Sequence, residues 1–401
     1  MGTRISKKFK KMKHKTDLVI ITNEPFPIGM AATNRILSYA KEIAKKKKVT
    51  VLIAKPTELP NNIRNTEPKG YINLLKYNYI HKNTIWPKKS SKLNKAGIII
   101  KSYILLFKEL FDLKAKSVLL VSNDIKLIWL LWSFSKILNF NYYQEKSEKP
   151  PVLKKSTYEI YKQFYLFSYR LFTGMIVMTN ELKNLFISLK QNNLFLLPMT
   201  VEIDRFKDIK KNANKNKIIF KYCGGGNYQR DGLDIMVNAF IGLRDYYRNF
   251  EFHIIGPINK NSDYLNKIIH LVKERDITDK ILFIGKKDSN EIPVLLMEAD
   301  FLIMAPPENF SSGGFPTKLG EYLATGKPVI CTSVSEVPLY LNNTNSIIIK
   351  PNNKKELIDV LSAIIQAPMK YEKIGKNGRL IAEKIFNINA HSNSLIKFLK
   401  I

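Results

Sequence analysis

A chain of 401 residues is too long for one ordinary hydrophobic core and fits two domains of roughly 150 to 200 residues each. Its 45% hydrophobic and 11% aromatic residues exclude a largely disordered protein. The 65 Lys and Arg against 34 Asp and Glu give a net charge of +31. That charge favours nucleic acid, anionic lipid or phosphorylated substrates as partners, unless the lysine excess only reflects genomic base composition.

Residues 1–16 are a basic arm, and the apolar run after it has only the length of a strand. This is not the pattern of a secretory signal peptide. Cys223 and Cys331 lie in strand-like runs, which predicts buried thiols, a reducing compartment and a cytoplasmic protein. The apolar segments 97–111 and 125–140 are shorter than a membrane span and contain lysines, so we expect neither to cross a bilayer.

The first half of the chain begins with a βαβ pattern. The apolar run DLVIITN is followed by the loop EPFPIGMAA, the helical pattern TNRILSYAKEIAKKKK and the second run VTVLIA. This order predicts a parallel sheet whose first strand-to-helix loop lies at the carboxyl edge, where doubly wound folds bind ligands. Further strands are predicted at Ser117 to Ser122, Phe140 to Gln144 and Gly174 to Thr179.

The pattern restarts after a lysine-rich stretch, 196–216, which is typical of a linker. The second half alternates strands and helices again, with predicted strands at Ile218 to Cys223, Glu251 to Gly256, Ile281 to Gly285, Phe301 to Ala305 and Pro328 to Thr332. We therefore expect an α/β protein with two Rossmann-like doubly wound domains, 17–195 and 217–370, that face each other across a cleft.

The segment GGFPTKLGEYLATGKPVI, residues 313–330, predicts a helix from Thr317 to Thr325 that a glycine and a proline terminate. At about 100° per residue, Thr317, Lys318 and Glu321 share one side, while the other side is apolar and suited to pack on a sheet. The glycines before the helix leave its N–H groups open to a diphosphate, and Glu321 suits ribose hydroxyls. An ordinary capped amphipathic helix with solvated charges also explains this pattern.

This segment resembles the donor-binding signature of glycosyltransferase family 4, the retaining two-domain enzymes of the GT-B fold, also called glycosyl transferases group 1. The resemblance implies transfer of a sugar from a nucleoside-diphosphate sugar to a hydroxyl with retention of anomeric configuration. Glu321 matches the second of the family's two glutamates, which binds ribose, whereas the first falls on Gly313. The resemblance implies donor-binding roles for Gly313, Gly314, Phe315, Pro316, Thr317, Lys318 and Glu321.

Two other segments carry the resemblance further. YCGGGNYQRDGLDIMVNAF, residues 222–240, resembles the family's strand, glycine turn and helix, which implies that Arg230 binds the donor diphosphate and that Gly225 lets the backbone approach it. Arg230 as a solvated loop charge is the alternative. The strand end at Gly285 and Lys286 corresponds to the place where such enzymes hold the nucleobase.

In the first domain, PFPIGMAATNRILSYAKEIA resembles the family's glycine loop after the first strand, which implies that Gly29 approaches the donor. Arg35 in the following helix fits a solvated charge as well as a ligand. The family's first-domain histidine has no counterpart in NFNYYQEKSEKPP, so Glu145 and Glu148 become the candidates for positioning the acceptor hydroxyl or countering charge on the sugar. An exposed loop of mixed charges explains both glutamates equally well.

The resemblance also covers the C-terminus, since residues 371–401 have the length and spacing of the family's final helices, which cross back to the first domain. No His, Cys or Asp cluster has the spacing of metal ligands, so we expect neither a metal nor another cofactor. Arg230 and Lys318 are then the catalytic candidates for stabilising the departing nucleoside diphosphate.

Two stretches, AGIIIKSYILLFKELFDLKAK and KKSTYEIYKQFYLFSYRLF, combine basic and aromatic residues. Such stretches can lie on anionic lipid, which predicts a peripheral protein on the inner face of the cell membrane and a lipid-linked oligosaccharide acceptor. The alternative is that their apolar faces pack on the sheet. An inactive or epimerase-type GT-B protein and a basic nucleic-acid-binding protein are competing interpretations, but no nucleic-acid-binding module is recognisable, and no nucleic acid is expected as a partner.

Overall fold

The computed structural model of the chain describes residues 15–88, 91–153, 158–207, 209, 217–259, 261–310 and 313–401. Most of the predicted basic arm, and residues 208 and 210–216 of the predicted linker, lie outside these residues. Contacts divide the chain into unit 1, with Met1–Thr200, Ser312–Gly314 and Ile388–Ile401, and unit 2, with Val201–Ser311 and Phe315–Asn387. The sequence-based boundaries at residues 195, 216 and 370 remain predictions.

Strands and helices alternate along most of the described chain. The strands are β1 (Thr16–Thr22), β2 (Val49–Ile53), β3 (Lys69–Ile72), β4 (Leu75–Tyr79), β5 (Ala115–Val121), β6 (Asn141–Lys146), β7 (Gly174–Val177), β8 (Leu194–Leu196), β9 (Ile218–Cys223), β10 (Phe250–Ile255), β11 (Ile281–Gly285), β12 (Phe301–Met304), β13 (Val329–Thr332) and β14 (Ile347–Ile349). The α-helices are α1 (Ala31–Ala44), α2 (Lys92–Leu113), α3 (Ile125–Leu138), α4 (Glu159–Phe167), α5 (Asn180–Ser188), α6 (Leu233–Leu243), α7 (Asp263–Glu274), α8 (Ile292–Met297), α9 (Lys318–Ala324), α10 (Val337–Tyr340), α11 (Lys354–Gln366), α12 (Glu372–Ile381) and α13 (Ser392–Phe398).

The strands that unit 1 forms within the described residues are ordered β3-β4-β2-β1-β5-β6-β7-β8. They pair in parallel except at the β3–β4 edge, which is antiparallel. The central strand β1 is almost completely buried, as expected for a parallel strand covered on both faces. Ile36, Tyr39 and Ile43 follow one side of α1 and join the same core.

Helices cover both faces of the unit 1 sheet. The connection through α1 runs from β1 to β2, whereas those through α2, α3, α4 and α5 run in the opposite direction along the sheet. Right-handed crossovers therefore place α2 to α5 on one face and α1 on the other. The C-terminal helix α13 contacts α1 and contributes Leu395 and Leu399, with its C-terminal flank, to the core on that side.

Unit 2 contains a parallel sheet with strand order β11-β10-β9-β12-β13-β14. The two doubly wound sheets confirm the predicted fold class. The predicted helix after Pro316 is α9, which begins at Lys318 with Thr317 as its N-cap residue. Leu319, Tyr322 and Leu323 on its apolar side are buried, as predicted.

Several details differ from the sequence-based expectation. The edge hairpin of β3 and β4 was not predicted, because lysines and asparagines interrupt the apolar residues of its sequence, KGYINLLKYNY. β6 extends beyond the predicted strand end at Gln144, so Glu145 lies within a strand and not in an exposed loop. In the described part of the chain, no helix is long and apolar enough to cross a membrane.

Candidate functional site

The candidate site of unit 2 lies where the order of its strands reverses. From β9 the chain continues through α6 to β10, whereas from β12 it continues through α9 to β13 in the opposite direction. The loops after β9 and β12 therefore leave toward opposite faces and open a crevice at the carboxyl edge, the usual ligand position in such sheets. Gly225 and Arg230 lie in the loop after β9. Phe315 to Thr317 belong to the connection from β12 to α9 and lie directly before that helix.

The two loops approach each other through their backbones. Gly232 has φ +74°, and a Cβ at this position would overlap the carbonyl oxygen of Ala305. Beside it, the Ala305 N–H donates to the Asp231 carbonyl oxygen at 3.2 Å. Only glycine fits this combination of a left-handed conformation and close backbone contact. The loop after β9 is thus fixed against the chain that follows β12.

Tyr322 fastens α9 to the end of β9. Its buried hydroxyl accepts from the Cys223 N–H at 2.7 Å and donates to the Cys223 carbonyl oxygen at 3.1 Å. Burial raises the pKa of Tyr322 well above its usual range. Burial, and then the nearby Glu321 charge, raise the pKa of the Cys223 thiol to about 12. Both groups are therefore neutral near physiological pH, and the Tyr322 hydroxyl holds the helix to the backbone of Cys223.

Lys318 is held by a carboxylate that sequence reasoning did not single out. Its Nζ lies 3.0 Å from Oδ2 of Asp231, and the side chains of Lys318 and Asp231 are 26% and 3% exposed. The Tyr222 hydroxyl donates to the same carboxylate, and burial together with the Asp231 charge raises the pKa of Tyr222 well above its usual range. An ammonium group has three donors, so Lys318 keeps hydrogen-bonding capacity for an anion.

Glu321 is held by Arg205, a second residue missed from the sequence. One guanidinium nitrogen of Arg205 lies 2.6 Å from Oε1 of Glu321. Another donates to the carbonyl oxygen of Ser289 at 2.7 Å. Arg205 belongs to the 3₁₀ turn Ile203–Phe206, far from Glu321 in sequence. The Arg205 contact therefore fixes the orientation of the Glu321 carboxylate, which is predicted to bind ribose. The other carboxylate oxygen, Oε2, takes no part in this ion pair.

Arg230 is half-buried, and its guanidinium carbon lies 4.7 Å from the centre of the Phe310 ring. This cation–π contact holds the guanidinium group over an apolar surface. Arg230 is thus a partly exposed loop charge that contacts Phe310, and its role in binding the donor diphosphate remains a prediction. Arg230 immediately precedes Asp231 in the chain, so the Arg230 backbone lies next to the ion pair of Asp231 and Lys318.

The remaining predicted donor residues of unit 2 differ in accessibility. Phe315 is buried, with its ring centroid 5.7 Å from those of Tyr340 and Phe386. Its contribution is packing below the start of α9. Gly285 ends β11 with φ +84° and open space around its Cα, and Lys286 beside it is exposed.

The contact-based division assigns Gly313 and Gly314 to unit 1. Gly313 has φ +84°, and a Cβ there would lie 3.0 Å from Leu182 and Lys149 side-chain carbons. The Thr179 hydroxyl donates to its carbonyl oxygen at 2.6 Å. A glutamate at this position would need a strained backbone and displaced neighbours. The departure from the two-glutamate pattern thus has a structural basis.

In unit 1, Gly29 lies in the loop that follows β1. A Cβ at Gly29 would overlap the hydroxyl of Thr33, which donates to the Pro25 carbonyl oxygen at 2.7 Å. Asn65 fixes the same loop, because it accepts from the Ile28 N–H and donates to the Ile28 carbonyl oxygen, both at 2.8 Å. The loop is rigid and keeps backbone near the carboxyl edge of β1.

The structure corrects two interpretations of charged residues in unit 1. Arg35 is not a solvated charge, because its guanidinium is buried 2.7 Å from the buried Glu145 carboxylate. Arg35 also donates to the carbonyl oxygens of Leu197 and Pro198 at 2.8 Å. Glu145 is thus committed to a buried ion pair, whereas Glu148 is half-buried after the end of β6. An exposed loop of mixed charges is wrong for Glu145.

Among the described residues, no group of three or more His, Cys, Asp or Glu side chains is arranged to hold a metal ion. The expectation that the protein uses no metal or other cofactor remains a prediction. Cys331 is buried and Cys223 is half-buried, and both are free thiols.

The chain has measurable similarity to known proteins. Residues 204–381 match the model of the family glycosyl transferases group 1. No curated protein matches the chain in sequence. Sucrose-phosphate synthase from Thermosynechococcus elongatus superposes with a TM-score of 0.73 at 15% identity, over 96% of this chain and 98% of that chain. A glycosyltransferase from Rickettsia africae gives a TM-score of 0.71 at 16% identity, over 96% and 98%.

A third similar structure is Anabaena HepE in complex with UDP-glucose, with a TM-score of 0.66 at 13% identity, over 96% of this chain and 99% of that chain. At such identities these superpositions establish the fold alone. The family match covers α9, Arg230 and Arg205, which are the residues of the site in unit 2. Residues 204–381 are therefore similar to the family glycosyl transferases group 1, and the chain has the fold of the GT-B glycosyltransferases.

Proposed function

We propose that the protein moves a sugar from a nucleoside-diphosphate sugar to a hydroxyl of a lipid-linked oligosaccharide, with retention of anomeric configuration, in the synthesis of a surface polysaccharide or glycan. The observation that carries this proposal is the convergence of Lys318, Glu321 and the loop 224–232 at the switch point of the unit 2 sheet. That edge is where doubly wound sheets bind nucleotides. The structure of Anabaena HepE with UDP-glucose supports a UDP-sugar as the first donor to test.

Each residue of the unit 2 site has a role in this proposal. Arg230 and Lys318 bind the diphosphate and stabilise the departing nucleoside diphosphate, the function that a metal ion performs in other transferases. Glu321 accepts hydrogen bonds from the ribose hydroxyls, and the strand end at Gly285 and Lys286 lies beside the base. We propose no metal or other cofactor.

The acceptor side of the proposal rests on unit 1. Because Arg35 already engages Glu145, Glu148 is the better candidate for positioning the acceptor hydroxyl. The protein is proposed to be cytoplasmic and to associate peripherally with the inner face of the cell membrane, where a lipid-linked acceptor is reached. The charge of +31 supports attraction to an anionic surface.

The decisive experiment measures nucleoside diphosphate released from a panel of UDP-sugars in the presence of a lipid-phosphate acceptor. Glu321→Ala and Arg230→Ala should each lower turnover at least about tenfold, the effect of losing one charged hydrogen bond. Glu274→Ala, which removes an exposed carboxylate of unit 2, is the matched control and should leave turnover unchanged. Full turnover in the first two variants would show that the site is wrongly placed.

A protein that binds the donor without transferring the sugar, including an epimerase-type relative, is the second candidate. The observation that favours it is Gly313, which has φ +84° at the position of the family's first glutamate. Calorimetry with UDP and with UDP-glucose, combined with the UDP-release assay, separates the two functions. Donor binding without transfer of the sugar to an acceptor, and hence without release of UDP, would support the second candidate.

A further inference from the structure

Helices α2, α3 and α4 form one layer on the same face of the unit 1 sheet. Phe107 of α2 and Phe134 of α3 have ring centroids 4.8 Å apart. Trp129 of α3 stacks on Phe164 of α4 at 5.0 Å with an interplanar angle of 6°. The sides of these helices that are turned away from the sheet therefore make one continuous surface. We call it the outer helix surface; it comprises residues 92–113, 125–138 and 158–171.

Helix α2 has two apolar sides, and only one of them packs on the sheet. Leu106 and Leu110 are buried on the inner side. Leu93, Ile100 and Ile104 are 83%, 60% and 67% exposed, and at about 100° per residue they fall within about 40° of one direction on the other side. A helix that only packs on the sheet carries polar residues there. The packing alternative considered from the sequence therefore explains one side of α2 and leaves the other unexplained.

The aromatic part of the outer helix surface comes from α4 and its flanks. Tyr158, Ile160, Phe164 and Phe167 are all exposed. Trp129 of α3 stacks on both phenylalanines, with its ring centroid 6.4 Å from that of Phe167. Aromatic rings combine a large apolar body with a polarisable face and are enriched where protein meets the membrane–water interface. Aliphatic and aromatic side chains are thus exposed side by side.

Basic side chains border these apolar groups. Lys101 and Lys108 lie about 60° to 80° around α2 from the exposed stripe. Lys136 lies over the Trp132 ring at 5.7 Å, and Arg170 lies over the Phe167 ring at 5.3 Å. The other charged residues of these segments are Lys92, Lys95, Lys126 and Lys162, with the acidic Glu109, Asp112 and Glu159. The surface is net positive and complements an anionic partner.

We propose that the outer helix surface is the site at which the protein binds an anionic lipid bilayer, with α2 lying in the plane of the interface. This inference rests on the membrane association in the proposed function and names the surface that carries it. A bilayer is preferred to a protein partner because lysines are depleted in the cores of protein interfaces. Exposed aliphatic and aromatic groups bordered by lysines are instead typical of interfacial helices.

The test uses the full chain and flotation with two kinds of vesicle, phosphatidylcholine alone and phosphatidylcholine mixed with phosphatidylglycerol. Wild-type protein should bind the anionic vesicles, and less so as salt is raised. Ile100→Glu combined with Ile104→Glu should lower the partition coefficient more than about tenfold. Lys101→Ser combined with Lys108→Ser should lower the partition coefficient on anionic vesicles by about fivefold for each lysine removed. Binding to phosphatidylcholine vesicles should not change.

The matched control is Met369→Glu combined with Leu380→Glu, since these unit 2 side chains are 72% and 61% exposed but lie outside the outer helix surface. The control should bind vesicles as wild type does. Equal binding by all variants, equal loss in the control, or no wild-type binding to anionic vesicles at low salt would each overturn the inference.

Thermal unfolding and calorimetry with UDP, measured on every variant, keep this result separate from the fold and from the proposed function. Unchanged melting and UDP binding in the outer-surface variants show that only lipid binding was altered. Vesicle binding by a wild-type protein that does not bind UDP would contradict the proposed function alone. UDP binding without vesicle binding would overturn the lipid inference and the proposed membrane association, and would leave the proposed sugar transfer standing.

Discussion

Replacing Lys318 by methionine should lower both stability and donor binding, through two separable causes. The Asp231 carboxylate is 3% exposed, and Lys318 Nζ lies 3.0 Å from it. Breaking a buried ion pair on one side costs about 3 to 5 kcal/mol, and because the Lys318 side chain is 26% exposed, we expect the lower end, about 3 kcal/mol. Unfolding in guanidinium chloride measures that loss of stability. Calorimetry with UDP should show affinity lower by about tenfold to a hundredfold, since a charged hydrogen bond is lost.

Adding Asp231→Asn to the Lys318→Met variant separates the two causes. Asparagine needs no counter-ion and can still accept from the Tyr222 hydroxyl, so stability should return to within about 1 kcal/mol of wild type. UDP affinity should stay low, because the cation is still absent. If UDP affinity recovered together with stability, Lys318 would act only through the fold. If Lys318→Met unfolded at the same denaturant concentration as wild type, the argument from the buried carboxylate would be refuted.

Three further predictions follow from backbone geometry, thiol chemistry and burial. Gly232→Ala should destabilise the protein by more than about 2 kcal/mol, because the new Cβ clashes with a neighbour and the backbone has a positive φ. Gly285→Ala, with φ +84° and open space, should cost only about 1 kcal/mol. Equal losses of stability in urea unfolding would contradict this prediction. Burial raises the pKa of Cys223 and Cys331 to about 12, so both thiols stay protonated near pH 8 and should react with a thiol reagent much more slowly in the native protein than after unfolding. Rapid reaction of either thiol in the native protein would contradict this prediction. Arg35→Met should cost about 3 kcal/mol or more in denaturant unfolding, because it leaves a buried carboxylate unpaired, and a loss below about 1 kcal/mol would contradict that account.

The sequence was a good guide wherever local patterns are strong. The strands at 218–223 and 281–285 were predicted with their observed ends, because apolar runs bounded by glycine and polar residues mark them clearly. The helical period of residues 317–325 correctly separated the buried side from Lys318 and Glu321. The β3–β4 hairpin escaped prediction because an edge strand with alternating exposed residues has no strong apolar run.

The partners of the site residues could not be predicted from the sequence. Asp231 is paired with Lys318, and Arg205 with Glu321, across 87 and 116 residues of chain. No spacing rule connects residues so far apart, since only the folded sheet brings their loops to one edge. Arg35 shows the same limit: its position in an amphipathic helix is compatible with solvent, yet its partner Glu145 comes from a strand 110 residues later.

These unpredicted partners affect how the proposed donor site would bind its ligand. Lys318 and Glu321 are not free charges waiting for a ligand, because Asp231 and Arg205 already orient them. Groups held in place before binding lose little conformational freedom when the ligand arrives, which favours affinity without adding contacts. The same pairing nearly balances the local charge, so long-range attraction of an anionic donor must come from the protein as a whole, with its charge of +31. Raising salt should therefore slow donor association more than it speeds dissociation, because screening weakens the distant field while the paired contacts at the switch point are little affected.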